Sequence, residues 1–131
     1  MKIKKVIFSA LAGGVTMWVL AGLWHEYLMA KFYIVETHAT HEGIGIIFAA
    51  YMVLGVLMAY IYPLGYKGGR PIIEGLRFGM LIGILWVFPH ELAMAGAHGD
   101  SISYVFKNAS WHVIEQGIGG IIISLIYGRI K

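Results

Sequence analysis

Four apolar runs, at residues 6–31, 41–62, 72–97 and 111–129, fill most of this 131-residue chain. Each is about the 20 residues that a helix rising 1.5 Å per residue needs to cross a hydrocarbon core of about 30 Å. With 59% hydrophobic residues and only 13% charged, a chain of this size cannot hide its apolar surface inside a small water-soluble core. The runs are joined by KFYIVETHAT, YPLGYKGGRP and HGDSISYVFKN, and short links make successive helices antiparallel neighbours. The expected fold is an all-α integral membrane protein, a four-transmembrane-helix antiparallel bundle forming a single membrane domain over residues 1–131. The start, MKIKKVIFSALAGG, has the basic and apolar character of a signal peptide. Its apolar run continues through Trp18 to Leu23 and belongs to a repeat, which favours a retained anchor.

Charge gives the expected orientation. Lys2, Lys4, Lys5, Lys67, Arg70, Arg77, Arg129 and Lys131 fall on one side of such a bundle, and only Lys31 and Lys107 fall on the other. The positive-inside rule then places both termini in the cytoplasm, with a bacterial inner membrane as the expected location. The net charge of +3 is an orientation signal rather than a nucleic-acid footprint. The expected partners are the lipid bilayer and either other membrane subunits or further copies of the chain. Without cysteine, disulfides, thiolate metal sites and cysteine nucleophiles are excluded.

The chain also repeats itself. WHEYLMA (24–30) returns as PHELAMA (89–95), and a shift of 65 positions matches Leu11 with Leu76, Gly14 with Gly79, His25 with His90 and Glu26 with Glu91. A shift of 74 matches His38 with His112, Gly43 with Gly117 and Gly45 with Gly119. This reads as two tandem-duplicated helical hairpins, repeat 1 at 6–66 and repeat 2 at 71–131, related by a pseudo-two-fold axis along the membrane normal.

The duplicated residues that carry chemistry are His25, Glu26, His38, His41, His90, Glu91, His112 and Glu115. All lie toward the outer end of the expected bundle, and His38/His41 and His112/Glu115 are i, i+3 pairs that a helix stacks on one face. His25 and Glu26 point about 100° apart, so one member of each adjacent pair is expected to face the centre. Glu115 stands about 21 Å above Arg129 along a helix, below the outer headgroups, where an unpaired ionisable group costs several kcal/mol (roughly 3 or more) and marks a functional site. A divalent ion offsets that cost. Imidazole and carboxylate donors without sulfur suit iron, manganese or zinc, held as a mono- or di-metal centre. Glu42, His98 and Gln116 are expected around these ligands.

The leading expectation is therefore a membrane metal-binding protein, with a metal-dependent oxidoreductase acting on a lipid or quinone-sized substrate as its enzymatic form. Other readings stand beside it: a haem- or chlorin-binding accessory subunit of a larger membrane complex, a small cation transporter with an acidic outer mouth, and a hydrogen-bonded polar network that holds no ion. The many glycines are expected to let helices pack closely, the tryptophans to sit at interfaces or to roof the cluster, and Pro89 to kink the third span.

Overall fold

The computed structural model describes residues 2–32 and 43–130, which form helices and no strands. Helix α1 (Ile3–Gly22) runs into a π-helical turn (Leu23–Leu28) and is followed by α2 (Ile44–Gly65), α3 (Pro71–His98) and α4 (Ile102–Arg129). All four are long and apolar enough to cross a membrane, α1 together with its π turn. Much of their large apolar surface faces outward, as in Ile46 at 79% and Leu64 at 78% exposure.

The fourth helix departs from expectation. HGDSISYVFKN was expected to link two spans, yet only 99–101 lie between α3 and α4, and helix begins at Ile102. Gly99 ends α3 in the left-handed region at φ 77°, and the Ser101 hydroxyl caps α4 by accepting from the Tyr104 amide at 3.1 Å. Val105, Asn108 and Ala109 are buried on the added turns, so a helical face is hidden inside a stretch whose composition reads as loop. Ser101→Ala is expected to cost about 1 kcal/mol in a thermal melt, the usual worth of an N-cap.

At the opposite end, Glu74 accepts from the Lys67 and Gly69 amides at 2.8 and 2.9 Å and pins the α2–α3 turn. Gly68, at φ 75°, supplies the left-handed residue that the turn requires.

Small residues set the helix contacts. Gly75, Gly79 and Gly83 of α3 lie against Gly120, Gln116 and Val113 of α4, and Gly55 of α2 lies against Ala10 and Gly14 of α1. Gly13 meets Ile123 and Gly119 meets Met17, which joins α1 to α4. In lipid, where burial of apolar surface gives no drive, such close backbone approach is the usual source of helix association. Below these contacts lies a core of Ala10, Met17, Met58, Ala59, Tyr62 and Ile123. Its polar member is satisfied, since the Tyr62 hydroxyl and Ser124 Oγ are 2.6 Å apart. Tyr62→Phe is expected to lower the melting stability by about 1 kcal/mol, the net worth of one hydrogen bond.

The helices are not arranged symmetrically. Each hairpin is tightly packed and α1 lies along α4, but α2 and α3 touch little. They meet near their turn, where the Tyr62 and Phe78 rings stand 5.3 Å apart, and further along they leave an apolar groove. The repeated heptapeptides differ as well. WHEYLMA lies on the π turn, with the Met29 amide donating to the Trp24 carbonyl at 2.8 Å, whereas PHELAMA lies within α3, which continues past Pro89. Wide turns of this kind recur at functional sites.

Candidate functional site

The site is built from α4 outward. His112 and Glu115 stack one turn apart, and Glu115 is fully buried. The Tyr51 hydroxyl of α2 donates to Glu115 Oε2 at 3.1 Å, while Glu115 Oε1 has no hydrogen-bond partner among the described residues. His112 Nδ1 lies 3.6 Å from Oε2 and is likewise buried without a hydrogen bond among the described residues. A carboxylate held in the bundle by one neutral donor is an under-compensated charge, which calls for a cation or a proton.

His25 faces this pair from the π turn, its ring 6.0 Å from that of His112. Its Nδ1 donates to the Ala21 carbonyl at 2.9 Å, which in the neutral ring leaves the lone pair on Nε2. Binding of one ring nitrogen to a backbone carbonyl is the usual support for a histidine whose other nitrogen holds a metal. His25, Glu26, Tyr51 and His112 line a cavity of about 530 Å³ that Trp18 and Ile47 also border. The Trp24 and Trp111 rings, next in sequence to His25 and His112, stack at 4.3 Å, 4° from parallel.

The eight expected residues do not gather around one point among the described residues. His25 and Glu115 are brought together with His112; Glu26 is exposed at the cavity edge. In PHELAMA the choice is reversed. Glu91 turns inward and accepts from Asn108 Nδ2 at 2.7 Å, while His90 is exposed. The π turn rotates the first copy relative to the regular helix of the second, so the same two letters present different members. His98 is also exposed. His38, His41 and Glu42 lie outside the described residues. Gln116 is fully buried and accepts from Trp86 Nε1 at 2.8 Å. Among the described residues, no three His, Asp or Glu side chains are drawn close enough to make a ready-formed metal centre.

Two contributors escape a sequence reading. Tyr51 has no polar counterpart in the second copy, since the matching position is Leu125, and only its place well inside an apolar span sets it apart. Asn108 falls in the stretch assigned to a loop, although it precedes His112 by four residues, one helical turn. Among the described residues, Gly13, Gly14, Gly55, Gly75, Gly79, Gly83, Gly117, Gly119 and Gly120 lie against neighbouring helices, whereas a Cβ at Gly43 or Gly45 meets nothing within 4 Å.

Comparisons with protein-family models, with curated proteins and with solved structures find no match.

Proposed function

We propose that this is an integral membrane protein, with both termini in the cytoplasm and two duplicated hairpins, that binds a divalent cation through His25, His112 and Glu115. The supporting observation is the buried pair on α4. At 3.6 Å, His112 Nδ1 and Glu115 Oε2 are too far apart for a hydrogen bond of about 2.7–3.2 Å. That separation suits two donors on one tetrahedral ion: metal–ligand distances of about 2.0–2.2 Å put neighbouring donors about 3.3–3.6 Å apart. His25 would complete the set, its ring 6.0 Å from that of His112. Iron, manganese and zinc all accept such nitrogen and oxygen donors.

Three protein donors leave a coordination position open toward the cavity of about 530 Å³, the arrangement of catalytic rather than structural sites. The ion would act there as a Lewis acid or redox centre on a molecule arriving from the membrane. Haem and transport are less well supported: Gly75, Gly79, Gly117 and Gly120 are in close contact with neighbouring helices, and the polar residues Glu115 and Ser124 stand more than two turns apart along α4.

The test is elemental analysis and an absorption spectrum of protein purified from membranes, followed by equilibrium dialysis against zinc and manganese. One ion per chain is expected. A Soret band supports haem instead, and failure to retain either ion leaves a polar network alone.

A further inference from the structure

The turn between α2 and α3 carries a charged cavity of about 460 Å³, lined by Lys67, Arg70, Glu74 and Arg77 with Ile73 and Gly65 beside them. The three cations are exposed, and among the described residues none has a carboxylate at ion-pair distance. Glu74 is turned to the main chain instead. One of its oxygens accepts from the Lys67 amide and the other from the Gly69 amide, so three cations stand around a single carboxylate already held by the turn. Arg70 and Arg77 lie two helical turns apart, about 10 Å along α3, and so on one face. Arg77 also stands about 9 Å beyond Pro71, inside a helix apolar enough to span a membrane. A cation on the lipid side of such a helix is costly unless an anion or the headgroup layer is within its reach.

We infer that this cavity holds the phosphate of an anionic phospholipid, gripped by Arg70 and Arg77 with Lys67 beside them, its acyl chains along Ile73 and Leu64. The charge selects phosphate, because a guanidinium presents paired donors that match two phosphate oxygens. The apolar border selects a lipid over a soluble phosphate. Ile73 lines the cavity, Leu64 adjoins it through Gly65, and both are exposed; acyl chains cover them and an inorganic ion does not. The turn is fixed before any ligand arrives, since Glu74 pins it and Gly68 holds its left-handed position. Preorganisation of this kind lowers the cost of binding. The lipid assignment rests on the membrane reading above, which places the turn at the cytoplasmic face, where anionic lipids attract basic residues. It does not depend on the divalent cation.

The experiment uses the full chain in phosphatidylcholine nanodiscs doped with phosphatidylglycerol that carries a diazirine on its acyl chain near the glycerol. Labelling is expected on peptides containing Leu64 or Ile73, competed by unmodified phosphatidylglycerol and not by added phosphatidylcholine. Arg70→Gln and Arg77→Gln should each lower labelling about fivefold, the usual contribution of one cation near an anionic surface. Both side chains are exposed, so the helices should keep their packing. Lys4→Gln is the control. It removes an exposed cation at the same end of the bundle, where neighbouring Lys5 lies over the Tyr127 ring and Tyr127 meets Tyr66, but outside the cavity. Labelling should not change in that variant. An equal loss in Lys4→Gln would assign the effect to diffuse surface charge and overturn the site, as would equal labelling by a phosphatidylcholine probe. Displacement by inorganic phosphate as complete as by phosphatidylglycerol would overturn the lipid in favour of a soluble anion. Alkaline extraction of the source membranes tests the underlying reading separately. A chain released into the supernatant overturns the membrane reading and the lipid with it, whereas an embedded chain without headgroup preference overturns this site alone.

Discussion

Glu115→Leu and His112→Ala are expected to lose the bound cation almost completely, with affinity for zinc or manganese down more than about 100-fold. Changes in groups that merely orient metal ligands already cost about 10–100-fold, and these two side chains supply donor atoms directly. His90→Ala should keep the wild-type affinity, because His90 is exposed and takes no part in the His25–His112–Glu115 group. Dialysis of the three proteins side by side measures this. Stability supplies an independent sign. Glu115 is fully buried and, among the described residues, has a single hydrogen-bond donor and one unpartnered oxygen. Exchange for leucine removes that under-compensated charge at similar volume. The metal-free Glu115→Leu protein should therefore melt higher than metal-free wild type, and a lower melt would mean that the carboxylate is a structural element of the bundle.

Gly79→Leu is expected to give the largest loss of stability among the glycine positions. A Cβ there would overlap the Gln116 carbonyl and crowd Gly117, and both are backbone, which cannot swing aside as a side chain does. Overpacking a core typically costs about 1–3 kcal/mol; prising α3 from α4 against main-chain atoms should exceed about 3 kcal/mol and displace Gln116 from Trp86. Gly96→Ala is the matched control. Nothing lies within 4 Å of a Cβ at that position, and alanine is favoured over glycine within a helix by about 1 kcal/mol. Thermal unfolding in detergent compares them, and equal melts for the two variants would show that α3 and α4 are not packed through Gly79.

The four helices were legible because apolar length alone specifies them, and their ends moved only where composition misled. Ser103, Tyr104, Lys107 and Asn108 read as loop, yet Val105 and Ala109 on the same turns are buried. His25, His112 and Glu115 were legible as polar residues within long apolar runs. Which member of WHEYLMA or PHELAMA faces inward was not, since it depends on whether that turn is π or α, and the two copies share the His–Glu letters while differing in backbone. Tyr51 was hidden for a different reason: nothing in an isolated span tells a tyrosine that donates to a buried carboxylate from one that fills space. Internal similarity also promises more symmetry than the helices keep. α1 lies along α4, while the equivalent α2–α3 contact opens into a groove.

X-ray absorption at the edge of the bound ion, recorded on purified wild-type protein, addresses the proposed centre most directly. Two imidazole nitrogens and a carboxylate oxygen at about 2.0–2.2 Å are expected, with one imidazole fewer in His25→Ala. A shell made only of oxygen, or one left unchanged by His25→Ala, would contradict a cation held between the π turn of α1 and the buried pair on α4.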